Sequence, residues 1–228
     1  VVITAPGQDI DATFDSLANG SARLDYSNVR KSLGAVDDEK GMKWSAVGGG
    51  NYADSKFTPY MFGNFDLGWA LPLHHSSIWL RNAAGFAVGD KDDEFANFYF
   101  GGFRNNYVDH RDVKRYRGPF SLPGFDIDDL NGRTFTKSML EWNLPPARFR
   151  RLGIPDFYFS WARPAIFAAA LVTNPEDDSE NYYSIGAQVD FQFTVLSRMD
   201  MTFSVGYAAG YEDGSFEKDD VMLSLKIL

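Results

Sequence analysis

An all-β, membrane-spanning antiparallel barrel is the fold class this sequence predicts, and three observations predict it. First, alternation with period two runs through long stretches. In 183–195, Tyr183, Ile185, Ala187, Val189, Phe191, Phe193 and Val195 share one side, with Ser184, Gly186, Gln188, Asp190, Gln192 and Thr194 between them. Successive side chains of a strand leave opposite faces, so one face here is apolar and the other small or polar. Second, this strand and its successor, Met199 to Ala209, each run to roughly eleven to thirteen residues, against about five or six in a soluble protein. A tilted strand crossing a bilayer needs about nine to eleven. Third, 16% of the residues are aromatic, yet the mean hydropathy is only −0.29. A barrel reconciles the two, because alternation dilutes its apolar residues.

Composition excludes several classes. The longest apolar run, Ala165 to Val172, is far shorter than the about eighteen residues of a membrane helix. The 228 residues carry 22 basic and 31 acidic side chains, a formal charge of −9, which argues against a nucleic-acid partner. There is no cysteine, so no disulfide framework and no thiolate metal site is expected, and no cofactor is implied. An outer-membrane protein needs an export signal and none opens at Val1, so a processed chain or a fragment is expected.

In chain order, Ile10, Ala12 and Phe14 alternate with Asp11, Thr13 and Asp15, and Asn19-Gly20 is expected to turn the chain. Ala22, Leu24 and Tyr26 begin the next strand, and a polar loop follows through Asp37-Asp38-Glu39-Lys40. Met42, Trp44 and Ala46 lead to Gly48-Gly49-Gly50. Phe65, Leu67, Trp69 and Leu71 oppose Asn64, Asp66, Gly68 and Ala70, and Pro72–Ser77 makes a short turn. Trp69 and Trp79 flank that turn, where an interfacial aromatic girdle is expected. Phe95 to Phe103 is expected to be the next strand, followed by a long connection at about 104–132, a length usually functional or disordered. Thr134 to Leu144 is a strand with Lys137, Glu141 and Asn143 inward, ended by Pro145-Pro146. Phe157 to Leu171 is strand-like with a phase break at Pro164, and Val221–Ile227 is the last strand. The total is about ten or eleven strands in one barrel domain over 1–228, incomplete at its N-terminus, with short turns at one end and long loops at the other. Short turns are expected at Pro72–Ser77, Pro145–Ile154 and Leu196–Arg198; long loops at Lys31–Lys40, Gly89–Glu94, Arg104–Gly132, Thr173–Asn181 and Glu212–Asp220.

Candidate chemistry is sparse. His74 and His75 lie in a short turn and His110 in the long loop, at opposite ends of a barrel, so a Ser–His–acid site cannot assemble from them. The acids Asp90, Asp92, Asp93 and Glu94, and Glu176, Asp177, Asp178 and Glu180, lack the ordered spacing of a calcium loop and read as solvated loop charges. Arg111, Lys114, Arg115 and Arg117 suit either lipopolysaccharide phosphates or acids in the lumen, and an inward-folding loop favours the lumen. Arg148, Arg150 and Arg151 suit lipid phosphates. Asp66, Lys137, Glu141, Gln188 and Asp190 point into the lumen.

Phe98-Tyr99-Phe100-Gly101-Gly102 followed by a long loop resembles the bacterial surface antigen superfamily, the BamA-like barrels. In that family a Phe-x-x-Gly-Gly strand precedes a loop that folds into the lumen and carries an Arg-Gly-aromatic tip. Leu122-Pro123-Gly124-Phe125 resembles that tip, with Pro in place of Arg; Tyr116-Arg117-Gly118 is the alternative match. Met139-Leu140-Glu141-Trp142-Asn143-Leu144-Pro145 looks like the family strand after the loop, and Ser184–Ala187, Phe203–Ala208 and Val221–Leu228 like its last three strands. The resemblance implies a sixteen-stranded barrel preceded by periplasmic domains. It also implies an acid on the strand after the next turn to hold the loop Arg, but that strand offers Arg163, while the loop offers Asp126, Asp128 and Asp129. Two arrangements fit: a lock with exchanged charges, Arg163 inside the barrel against a loop aspartate, or Arg163 at the headgroup level with Arg117 still anchoring the loop. By resemblance the chain is a non-enzymatic outer-membrane barrel of Gram-negative type that assembles outer-membrane proteins, translocates polypeptides, or anchors a fused domain. Its implied partners are outer-membrane lipids and lipopolysaccharide, client polypeptides and accessory subunits. A passive porin and a barrel lipase or protease are the competing readings.

Overall fold

Alternation of this length makes strands, and nine of them form one continuous antiparallel path. The computed structural model of the chain describes residues 2–5, 8–11, 17–53, 55–89, 93–104, 113–176 and 179–227. β1 (Val2–Ala5) and β2 (Gln8–Asp11) pair only with each other. β3 (Leu17–Arg30), β4 (Lys40–Ala53), β5 (Lys56–Ala70) and β6 (Ser77–Ala87) follow as a meander. β7 (Phe98–Phe100) and β8 (Leu130–Gly132) form a short ribbon inside the long connection. β9 (Thr134–Asn143), β10 (Ala147–Ile154), β11 (Phe157–Thr173), β12 (Glu180–Val195), β13 (Met199–Glu212) and β14 (Ser215–Ile227) complete the chain. The main sheet runs β14-β13-β12-β11-β9-β6-β5-β4-β3, with β10 attached to β11. Among the described residues β3 and β14 are its two edges and do not pair with each other.

The sheet is amphipathic in the sense opposite to a soluble protein. Ser184, Gln188, Asp190 and Thr194 of β12 are buried while Tyr183 and Ile185 are exposed; in β13 Thr202 and Ser204 are buried while Phe203, Val205 and Tyr207 are exposed. In β9 the buried face is Lys137, Glu141 and Asn143, and the exposed one Leu140 and Trp142. An apolar outer face around a polar interior is the pattern of a strand wall in lipid. No helix among the described residues is long and apolar enough to cross a membrane.

Antiparallel pairing fixes which connections share an end, and several expectations change with it. Phe95–Phe103 is not a wall strand: only Phe98–Phe100 is extended, and it pairs with β8. Gly101 (φ 139°), Gly102 (φ 61°) and Arg104 (φ 51°) lie in the left-handed region and turn the chain off the wall. Two antiparallel strands, β4 and β5, separate 31–39 from 71–76, so 31–39 falls at the same end as 71–76 and 196–198, a turn-end connection and not an external loop. Contacts agree, since His75 Nδ1 lies 3.0 Å from Glu39 Oε1 and Arg148 donates to the Gly34 carbonyl. That last bond also gives Arg148 a protein partner.

Asn19-Gly20 does not turn either; β3 runs straight through, with Asn19 bonded side chain to side chain with Asn51 at 2.5 Å. Nor is Pro145–Ile154 a turn. The two prolines only interrupt a strand, because they supply no N–H to the ladder. β10 then continues on the lower half of β11, and the reversal comes at Pro155-Asp156. The phase break in β11 is a register shift between Phe159 and Trp161, four residues or so before Pro164. Glu212–Asp220 is mostly strand, since β14 begins at Ser215. Trp79 is 1% exposed, facing inward over Gly68, whereas Trp69 is 48% exposed; only Trp69 suits an outer girdle.

Candidate functional site

The site is the long connection itself, seated against the concave polar face of the sheet. Its entry is set by Gly101 and Gly102, whose N–H groups donate to the carbonyls of Phe120 (3.2 Å) and Phe125 (2.9 Å) and fold the loop on itself. Its aromatic residues then pack inward. Phe98 stacks on Phe120 at 5.7 Å, Phe100 meets Phe135 of β9 edge-on at 4.9 Å, and Tyr116 stacks on Phe167 of β11 at 4.3 Å. Such ring pairs contribute about 0.5–1.5 kcal/mol each beyond their buried area. The apolar core therefore lies inside the wall, between loop and sheet, with Leu122, Phe125, Met139, Leu171 and Ala208 among its buried members.

The loop meets the wall at two separate places, which the two sequence matches had posed as alternatives. Leu122-Pro123-Gly124-Phe125 sits on β12 and β13. Ser184 Oγ donates to the Pro123 carbonyl, and Phe125 packs edge-on against Tyr182 at 5.6 Å. Gly124 (φ 97°) is close enough to the wall that a Cβ there would lie 2.4 Å from the Gly210 nitrogen. Asp126, just beyond, is exposed and pairs with Lys218 of β14, while Asp128 pairs with Arg104.

Arg117 anchors the other place. Its Nη2 donates to Glu141 Oε1 at 2.7 Å and to Asp37 Oδ2 at 2.5 Å, and its Nε donates to both Glu141 oxygens at 3.0 and 3.1 Å. Glu141, fully buried on β9, also accepts from Tyr116 Oη at 2.8 Å and from Arg81 Nε on β6 at 2.7 Å. Arg81 Nη1 in turn donates to Asp66 Oδ2 on β5 at 2.6 Å. Lys114 Nζ donates to Asn143 Oδ1 at 2.7 Å, and Lys137 Nζ donates to the Gly118 carbonyl at 2.7 Å and to that of Ser121. One carboxylate thus joins the loop to β6 and β9. Charge-assisted bonds of this kind are about twice as strong as neutral ones.

Arg163 faces inward, but it does not meet a loop aspartate. Its Nη2 donates to Asp190 Oδ2 at 3.0 Å, cross-strand on β12, and its Nη1 lies 3.1 Å from Asp37 Oδ2. Asp190 also accepts from Ser204 Oγ at 2.7 Å and from Gln188 Nε2 at 2.6 Å. The expected exchange of charges fails because Asp126 and Asp128 lie at the rim, where nearer cations take them. Asp37 stands between Arg117 and Arg163 instead, reaching in from the β3–β4 turn. Burial opposes ionisation of Asp37, but Arg117 and Arg163 outweigh it and hold the carboxyl well below the usual carboxylate range. Lys114 is pushed down to about 7 by burial, assisted by Arg163 and Arg117.

Asp37 and Arg81 were missed as site residues. Arg81 shares the inward phase of Ser77 and Ala83, so alternation alone pointed to it; Asp37 sits in a turn, where no periodicity operates. A trio at the turn end was missed as well. Ser32 Oγ lies 3.3 Å and Glu39 Oε1 3.0 Å from the same His75 Nδ1, and Ser32 N–H donates to Glu39 Oε2 at 2.9 Å. Serine and acid on one ring nitrogen do not form a relay, which needs them on opposite nitrogens. His110, Arg111, Asp90, Asp92, Asp177 and Asp178 lie outside the described residues. Asp93 accepts from the Phe95 N–H at 3.0 Å, and Glu176 accepts from Thr134 Oγ1 at 2.6 Å. Among the described residues no cluster of three or more His, Asp or Glu side chains is placed to hold a metal ion.

Residues 40–150, from the start of β4 through the seated loop into β10, match the OMP85 superfamily. The match spans 111 of the chain's 228 residues and supports its assignment to the OMP85 superfamily. No curated protein and no solved structure matches it. At a coarse level the match supports a place among outer-membrane assembly and translocation barrels. The matched OMP85 span contains Arg117 and Glu141, while Asp37, Arg163 and Asp190 lie outside it.

Proposed function

We propose that the chain is the loop-bearing part of an outer-membrane barrel that handles polypeptides, inserting outer-membrane proteins or passing clients across the membrane. The superfamily match supports the class. The observation that carries the reading is the clamp. A loop with a buried aromatic core, tied to β6 and β9 through Glu141, fills the concave face where an open channel needs water. A buried ion cluster holds a definite geometry, and breaking one partner costs several kcal/mol, so the loop has two distinct states, seated and released. A seated loop keeps solutes from crossing through the lumen; release makes room for an extended segment. The partners of this reading are the lipids and lipopolysaccharide around the apolar wall, client polypeptides, and accessory subunits. It places the protein in the outer membrane of a Gram-negative-type cell and gives it no catalytic step.

Two measurements test it together. In planar bilayers the native protein conducts little, and Arg117→Ala with Glu141→Ala raises the conductance. Depleting the protein in cells lowers the amount of other barrel proteins or of secreted polypeptides. A large, steady conductance in the native protein, with outer-membrane and secreted proteins unchanged on depletion, would favour the passive channel. Use of the barrel purely as an anchor for a fused domain predicts a closed pore and unchanged clients.

A further inference from the structure

Between the loop and the concave side of β3–β6 lies a cleft of about 810 Å³ that the clamp leaves open. Its walls invert the charge of the molecule. The chain carries a formal charge of −9, yet the cleft is cationic. The strands contribute Arg23, Lys43 and Arg81, and the loop adds Arg104, Lys114, Arg115 and Arg117; the acids among the lining residues are Asp25 and Asp66.

Ion pairs reduce this surplus without cancelling it: Glu141 and Asp37 face Arg81, Lys114 and Arg117, and Asp128 pairs with Arg104. Lys43 Nζ is 3.7 Å from Asp66 Oδ2, an oxygen that already accepts from Arg81 Nη1 at 2.6 Å. Arg23 reaches only the half-exposed Asp25, two residues away on the same strand. Three buried polar atoms of the lining also have no protein partner: Ser45 Oγ on β4, Asn64 Oδ1 on β5, and Arg104 Nε on the loop. Ser45 is only 6% exposed, and its hydroxyl can donate to an incoming oxygen. A recess with low-dielectric walls and one sign of charge concentrates ions of the other sign.

The geometry points to a binding site for an oxyanion group, phosphate or pyrophosphate, in the cleft between the loop and β3–β6, held by Lys43, Arg23 and Arg104 with Ser45 donating. The group is carried either by a soluble ion or solute in the lumen or by the phosphorylated headgroup of a lipid reaching in past the β3 edge. This site uses side chains outside the Arg117–Glu141 clamp and stands whether or not the barrel handles polypeptides.

Calorimetric titration of the full chain in detergent, with sodium pyrophosphate and separately with lipid A micelles, tests it. Saturable binding of at least one probe is expected, weakened tenfold or more by the double variant Arg23→Gln, Lys43→Gln. Ser45→Asp, which puts a carboxylate in the cleft, is expected to abolish it. Protection of the loop from protease reports that each variant keeps its fold, and a variant that loses it is set aside in favour of the other. Binding by pyrophosphate alone identifies a soluble anion, and displacement of pyrophosphate by lipid A identifies the headgroup. No saturable binding of either probe, or equal affinity in the native chain and the folded variants, overturns the proposal.

Discussion

Glu141 accepts hydrogen bonds from Arg117, Arg81 and Tyr116 and so bonds both guanidinium groups, whereas Asp37 reaches only Arg117 of the two and Asp66 only Arg81. Glu141→Gln keeps the shape but leaves two guanidinium groups short of an anion. Removing one partner of a buried pair costs about 3–5 kcal/mol. Limited proteolysis in the 113–125 region should therefore speed by two orders of magnitude or more. Arg163→Ala should be milder, because Asp190 keeps Ser204 and Gln188 as donors. Acid acts on the same cluster. Asp37 is held below the ordinary carboxylate value of about 4 while the loop is seated, so its contribution is present above about pH 4 and is lost as pH falls through the seated value. Lys114 works the other way in sign of charge. Seated, its ammonium is pushed down to about 7 from its ordinary 10.5, so a released loop binds more protons between these values and seating strengthens as pH rises through that window. Protease protection of the loop should accordingly improve from pH 7 to pH 10, and Lys114→Met should flatten that rise. Glu141, Gln188 and Asp190 were legible as inward residues from alternation alone. Asp37 was not, because a turn residue has no phase to read and its partner lies eighty positions away.

At the level of elements, legibility followed the regularity of the alternation. β12 and β13 pair residue for residue from Tyr182↔Glu212 to Val195↔Met199 without a shift, and the sequence alternates cleanly over that whole span. β10 was hidden by Pro145-Pro146, which read as a stop but only break the ladder. Phe95–Phe103 read as a strand because it is rich in aromatic residues; the left-handed glycines that turn it off the wall leave no periodic trace. The connection 31–39 was expected at the wrong end because it is long and polar; two strands, β4 and β5, separate it from the 71–76 turn and so place it at the turn end. The two tryptophans of the β5–β6 hairpin report the corrected phase. Brominated lipids should quench the fluorescence of Trp69, so that Trp69→Phe removes a quenchable component. Trp79→Phe should leave the quenchable component unchanged. Equal loss from both variants would mean that the inward phase of β6 is wrong.

For the molecule as a whole, the fold class came from the inverted faces, and the polar interior is also what allows an ion cluster to form there. An apolar interior would make each buried charge cost several kcal/mol with nothing to offset it. The loop therefore had to bring both chemistries: aromatic rings for Phe135 and Phe167, and Arg117 for Glu141. The acidic surface and the cationic cleft follow from the same division between an outer and an inner face. What the sequence could not display is which of two Arg-Gly-like stretches anchors the loop, since both are seated and only the pairing partners distinguish them. The most direct measurement is a cross-link, made simpler by a chain without cysteine. With Pro123→Cys and Ser184→Cys introduced together, mild oxidation of the protein in membranes should link loop to wall in most molecules. Adding Glu141→Ala should reduce the linked fraction several-fold. A loop that never cross-links to β12, or that cross-links equally well without Glu141, would contradict the clamp.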